Sequence, residues 1–294
     1  MAVTRFISDL HFGDLSLADD FAPHKPLLVE FLDRALADGS DLVLVGDVFE
    51  LWQTDLDKIL FYYRDIMRKL ARLAERQRLV YVVGNHDWVP FFRYKNQRFG
   101  NVEVKLRLVV REGNLLVEHG HMYDRWNRTR ITPTPELPFG AGVSRWVGWL
   151  ERHVHPDIDD WLGKLVELFS RKQRLQVARL PRRVKRGRTA FDRAVKVARR
   201  HSAPGYLHDG ASAFFLSAME QQVRKRLDLG FSGVLLGHTH VPAHITYPDG
   251  KVYVNTGSWA YTRYPPTYAE LRDGHLTLRF AETGEEALEY YAER

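Results

Sequence analysis

The chain has 294 residues, 45% hydrophobic and 27% charged, an ordinary globular composition long enough for one large core or two domains. It contains no cysteine, which excludes disulfides and thiolate chemistry and leaves any metal to His, Asp, Glu or Asn. The formal net charge of +6 hides an asymmetry: residues 125–201 carry 19 Lys and Arg against 7 Asp and Glu, a net of +12, and the remainder sums to −6.

The first segment, MAVTRFISDLH, runs directly into a strand-like stretch. No apolar stretch of signal-peptide length is seen there, and no run of about 18 apolar residues occurs anywhere. A cytoplasmic protein is expected. Strand-like runs follow at TRFIS, DLVLVG, RLVYVVG, NVEVKLRLVV and NLLVEHG, with helical patterns at about 26–37 and 55–77 between the first three. Strands alternating with helices predict α/β units with a parallel component. After Asp124 the texture changes. A Pro/Gly connector, RITPTPELPFGAG, leads into tryptophan-bearing helical patterns and the arginine-rich PRRVKRGR. A helix over about 211–227 then precedes FSGVLLGHTH, and the C-terminal part reads as strands AHITY, KVYVNTG, TYAEL and HLTLRF, the first two joined by a hairpin turn at YPDGK. The expected organisation is one α/β domain, residues 1–124 and 205–294, interrupted by a basic helical insertion, residues 125–204.

The ends of the apolar runs carry the chemistry. They present Asp9 and His11, then Asp47, then Asn85 and His86, then His119, and finally His238 and His240. In a strand successive side chains alternate faces, so Asp9 and His11 are expected to point the same way, as are His238 and His240. Gly84 is expected to supply a sharp or positive-φ turn before Asn85. Asp87 reads as a cap for the turn after it. Five separate strand ends offering oxygen or nitrogen donors predict a metal site.

With these residues the sequence resembles the calcineurin-like metallophosphoesterase superfamily, whose ordered motifs D-x-H, G-D, G-N-H-D/E, H and G-H-x-H stand here as DLH, GD, GNHD, HGH and GHTH. The resemblance covers both halves of the α/β domain and leaves out the insertion. It implies a four-layer α/β/β/α sandwich carrying two divalent metal ions at the strand ends. It further implies that Asp9, His11 and His240 hold the first ion, that Asn85, His119 and His238 hold the second, and that Asp47 bridges. A shared carboxylate offsets repulsion between two cations about 4 Å apart, while imidazoles and an amide oxygen add ligands without excess negative charge. Imidazole-rich donor sets without thiolate point to Mn2+ or Fe2+, with Zn2+ as a further candidate. His86 is implied as the group that contacts the phosphoryl or protonates the leaving oxygen, oriented by Glu50, three residues after Asp47; a carboxylate beside an imidazole favours its cationic form.

A narrower resemblance, GDVFELW, is to the UDP-2,3-diacylglucosamine diphosphatase branch, which cleaves a pyrophosphate and holds acyl chains under a helical lid. That branch has Arg where this sequence has His86, and a different sequence after HG than HMYDRWN. His121 and Tyr123 are candidate substrate contacts. Trp146, Trp149 and Trp161 stand at helix-like spacing among Arg and Lys; they either pack a lid onto the core or receive lipid chains. Basic amphipathic helices with Trp also suit peripheral contact with an anionic membrane. The expected partner is a phosphoester, with a lipid-linked one preferred to nucleic acid because the insertion is rich in Trp and Leu. A nuclease or nucleotide phosphodiesterase, a protein phosphatase and a non-catalytic scaffold are the other readings; filled ligand positions favour an enzyme.

Overall fold

The computed structural model describes residues 3–16, 18–91, 94–124, 127, 219–260 and 264–287. Strand β1 (Val3–Ile7) leads through the first ligand loop to α1 (Lys25–Asp38), which carries Pro26 in its first turn, where the missing N–H has no intrahelical partner to lose. Strand β2 (Asp41–Val45) follows. The single helix expected over 55–77 is two, α2 (Leu56–Tyr62) and α3 (Arg64–Arg76). Tyr63 breaks it with a non-helical backbone, φ −109° and ψ 22°. Its ring is fully buried, stacked on Phe12 at 5.0 Å, and its hydroxyl donates to Asp19 at 2.6 Å. That anchorage outweighs helical continuity.

Strand β3 (Leu79–Val82) ends at the GNHD loop, which turns into the short α4 (Trp88–Phe91). The run NVEVKLRLVV, expected as one strand, divides at Leu106. Strands β4 (Arg98–Phe99) and β5 (Val102–Lys105) join one sheet, whereas β6 (Arg107–Val110) and β7 (Leu115–Glu118) belong to another. Further along come β8 (Gly233–Leu236), β9 (Ala243–Thr246), β10 (Val252–Asn255), β11 (Thr267–Arg272) and β12 (His275–Phe280). The YPDGK hairpin forms as expected, with the Tyr247 amide donating to the Lys251 carbonyl at 2.8 Å.

The seven-stranded sheet has the order β12-β11-β1-β2-β3-β5-β4 and the five-stranded sheet the order β6-β7-β8-β10-β9. Strands β1, β2, β3 and β5 run parallel, as do β7, β8 and β10. Three apolar clusters define the layers. Phe6, Val43, Val45, Val80 and Val82 of the larger sheet meet Leu108, Val117, Leu235 and Val254 of the smaller. Ile7, Leu42, Leu44 and Tyr81, on the opposite face, pack under Leu28, Phe31 and Leu32 of α1 and Ile66, Leu70 and Leu73 of α3. Leu116, Val234 and Leu236 pack against Met219, Val223 and Leu227 of the helical segment 219–228. This is the expected α/β/β/α sandwich. Parallel strands buried on both faces explain the near-continuous apolar runs in the sequence.

Apart from Asn127, the insertion at 125–204 lies outside the described residues, and with it Trp146, Trp149 and Trp161. Among the described residues no helix is long and apolar enough to cross a membrane.

Leu235 is fully buried between its β-neighbours Val117 and Val254. Truncation to alanine leaves a cavity between the sheets, so Leu235→Ala should destabilise the protein by about 2–5 kcal/mol in denaturant unfolding.

Candidate metal centre

Every candidate ligand lies just beyond a strand, where the backbone leaves the sheet. Five of them have left-handed backbone: Asp9 (φ 53°), His11 (φ 48°), Asp47 (φ 52°), His238 (φ 68°) and His240 (φ 58°). Asp and His enter this region more readily than most residues, and such strain of about 1–3 kcal/mol per residue collects at functional sites. The pairs Asp9/His11 and His238/His240 therefore do not converge by strand alternation. β1 and β8 have already ended, and two left-handed turns re-aim the side chains. Gly84 does not take the positive-φ one of the two turns expected there. Its place is set by space: a Cβ there would collide with the side chain and amide of Asp47. Gly237 faces the same constraint, with a Cβ meeting Asp9 Oδ2 and Ser8 Oγ at 2.5 Å.

Two donor clusters result. In the first, His240 Nε2 is 3.1 Å from Asp9 Oδ1 and 3.3 Å from His11 Nε2. In the second, His119 Nε2 is 3.0 Å from Asp47 Oδ2 and 3.1 Å from Asn85 Oδ1. Asp47, His119 and His238 each offer a donor atom within 4.8 Å of the others, and so do Asp9, His11 and His240. A third group of the same compactness, His11, Asp47 and His86, joins the two. Imidazoles, carboxylates and one amide oxygen in this packing fit a pair of divalent cations.

The second nitrogens of these histidines are also held. His119 Nδ1 donates to the Val45 carbonyl at 2.8 Å, which leaves Nε2, once it gives up its proton, as the nitrogen for a cation. His11 Nδ1 meets Glu50 Oε2 at 2.8 Å. His238 Nε2 meets Asp124 Oδ2 at 3.1 Å. Asp9 accepts the His238 amide at 3.0 Å, and Asp47 accepts the His86 amide at 2.8 Å. Burial opposes the ionisation of Asp47, yet the neighbouring His119 and His86 charges hold its carboxyl well below the usual range. Glu50, equally buried, is pulled down to about 2 by His86 and His11. In return, and against the burial penalty, Asp47 and Asp9 raise His119 to about 9.

His86 stands between the clusters, its Nδ1 2.6 Å from Glu50 Oε2 and its Nε2 4.0 Å from Asp47 Oδ2. Glu50 is buried rather than solvent-facing, and the same oxygen serves His11 and His86. Trp52, to which the sequence alone gave no role, stacks on His86 at 3.6 Å and 17°. Its Nε1 donates to the Asn85 carbonyl at 3.0 Å. An indole five residues after Asp47 in GDVFELW was the available signal.

Asp87 does not cap the following helix. Its carboxylate accepts the Gly84 amide at 2.7 Å, the Val48 amide at 2.9 Å and the Tyr81 hydroxyl at 2.6 Å, tying the GNHD loop to the GD loop. Burial, with Asp47 nearby, pushes it up to about 6. His121 is buried against Trp88 at 5.5 Å and beside His119 at 5.4 Å; burial and the charges of His119 and His238 keep it neutral, far below its ordinary value. Tyr123 donates to Glu118 and receives Arg226 Nε at 3.0 Å. His121, Tyr123, Trp88, Leu106, Arg107 and Arg226 line a cavity of about 610 Å³ that reaches His119.

At neutral pH the metal-free site holds a proton on His119 that a bound cation must displace. Divalent-metal affinity should therefore rise with pH from 7 to 9, with proton release measurable by calorimetry in buffers of different ionisation enthalpy. Affinity independent of pH between 7 and 9 would contradict this charge arrangement.

The calcineurin-like phosphoesterase family pattern matches residues 4–242. A UDP-2,3-diacylglucosamine hydrolase of Shewanella baltica is 31% identical over 160 residues, a match spanning 51% of this chain and 62% of that protein. One from Psychromonas ingrahamii is 24% identical over 164 residues, spanning 51% of this chain and 64% of that protein. Among solved structures, the E. coli phosphoesterase YfcE aligns over 97% of this chain and 96% of its own at 13% identity, with a TM-score of 0.42. The family match covers all five strand-end motifs, and the chain belongs to the calcineurin-like phosphoesterases.

Proposed function

We propose that this protein hydrolyses a phosphodiester or pyrophosphate bond at two divalent ions, Mn2+ or Fe2+ by preference, held by Asp9, His11 and His240 and by Asn85, His119 and His238 with Asp47 between them. The observation that carries the reading is the pair of donor clusters joined through Asp47. Bound there, such ions supply charge for phosphoryl oxygens and lower the pKa of water to about 7. The remaining work falls to side chains. The Glu50 carboxylate, ionised across the neutral range, lies against His86 Nδ1 and orients the ring. His86 Nε2, the nitrogen turned away from Glu50, is then the atom that delivers a proton to the leaving oxygen. Stacking by Trp52 holds the ring plane, so the proton does not depend on a mobile side chain.

A lipid-linked nucleotide, of the kind named for the Shewanella and Psychromonas relatives, is the preferred substrate. Support comes from the cavity beside His119, whose wall combines Trp88, Leu106 and Met122 with Arg107 and Arg226. A further support is the +12 charge and the tryptophans of residues 125–201, which suit a polyanion with an apolar tail and peripheral contact with anionic lipid.

His86→Ala should lower kcat by about two to four orders of magnitude with metal content retained, whereas Asp47→Asn should lose metal by elemental analysis. The reverse pattern would overturn the division of roles. Replacing Trp146, Trp149 and Trp161 together by alanine should raise KM for a lipid pyrophosphate and leave hydrolysis of a small diester by the manganese-loaded protein unchanged. Equal loss on both substrates would assign these residues to packing, and steeply salt-dependent binding of DNA in their place would point to a nuclease.

A further inference from the structure

We infer that Asp124 is a positioning residue that selects Nδ1 of His238 as the metal ligand, and so completes the second ion's site. The inference rests on the two-ion reading above. After β7 delivers His119, Gly120 takes a left-handed φ of 110°, and residues His121–Tyr123 make a single 3-10 turn. That turn, closed by the Asp124 amide donating to the His121 carbonyl at 3.1 Å, brings the Asp124 carboxylate back against the loop after β8. Oδ2 of Asp124 meets His238 Nε2 at 3.1 Å and also receives Asn127 Nδ2 at 2.6 Å. Both side chains are nearly sealed from solvent, at 8% exposure for His238 and 2% for Asp124.

An imidazole has two nitrogens, and the one that donates to an acceptor leaves the other with the lone pair. With Nε2 committed to Asp124, only Nδ1 of His238 remains for a cation. The same logic operates visibly on His119, where the Val45 carbonyl occupies Nδ1 and leaves Nε2 beside Asp47 and Asn85. A carboxylate in this position fixes the ring orientation and raises ligand basicity, and losing such a partner typically lowers metal affinity by about 10–100-fold. Asp124 acts through His238, a ligand of the second ion, so its loss should act on that ion. The sequence signal is local: an acid five residues after His119, and an amide three residues after that acid, within HGHMYDRWN.

The test loads metal-free full-length protein with Mn2+, following affinity by calorimetry and ion pairing by EPR. Wild type should bind two ions that couple magnetically. Asp124→Leu should keep one ion at near wild-type affinity, weaken the other by about 10–100-fold, and show an isolated-ion spectrum where wild type shows a coupled one. Asp124→Asn, which keeps an oxygen acceptor without the charge, should lie between them. Two tightly bound ions in Asp124→Leu, or in Asp124→Asn if the leucine variant does not fold, would overturn the inference. So would equal weakening of both ions, which marks a general brace of the loop. Wild type that binds no Mn2+ would instead defeat the two-ion reading itself.

Discussion

Burying negative charge against imidazoles and backbone amides is the constraint around which this molecule is arranged. Asp9, Asp47 and Glu50 are all buried where the sheets end, and among the described residues the groups against them are imidazoles, backbone amides and the Ser8 hydroxyl. An isolated carboxylate in such a place would take up a proton. Here the imidazoles keep Asp47 and Glu50 ionised, and they are themselves kept protonated or hydrogen-bonded in exchange. Each charge is tolerable because of its neighbours, so the site is one electrostatic unit. Asp87, held by two amides and a tyrosine hydroxyl, behaves differently: burial and the nearby Asp47 push it upward.

The two sheets share this unit. Asp9, His11, Asp47 and Asn85 follow strands of the larger sheet, and His119, His238 and His240 follow strands of the smaller. The donors converge only when the faces bearing Val43, Val80, Val117 and Leu235 are packed together. Occupation of the centre and packing of the sandwich therefore draw on a common free energy, since whatever binds the folded site alone stabilises the fold.

Much of this was legible in the sequence because parallel strands buried on both faces leave apolar runs with polar ends, and Asp9, Asp47, Asn85, His119 and His238 stand at those ends. The layers followed from the alternation of strands and helices. What escaped was tertiary in origin. The break at Tyr63 depends on Phe12 and Asp19, and the change of sheet at Leu106 has no Gly or Pro to announce it. Left-handed backbone at Asp9 and His11 hides from a reading by strand period, because convergence by alternation and convergence by a turn look alike on paper. The crowding of Gly84 by Asp47 leaves no mark in the one-letter code. Trp52 and Asp124 act through His86 and His238, and a residue that acts through another shows its purpose only when both are seen.

Strand β1 lies inside its sheet, flanked by β2 on one side and β11 on the other, with Val3 opposite Arg272. During synthesis the β2 side is available almost at once, while the other edge stays bare until residues 267–272 leave the ribosome. Contacts of such span form late and slowly, and an unpaired apolar edge invites other chains. The nascent protein thus passes most of its synthesis with Asp9 and His11 already made and their companions His238 and His240 still to come. A chain cut short before β11 would expose an edge of β1 that the finished sandwich keeps covered.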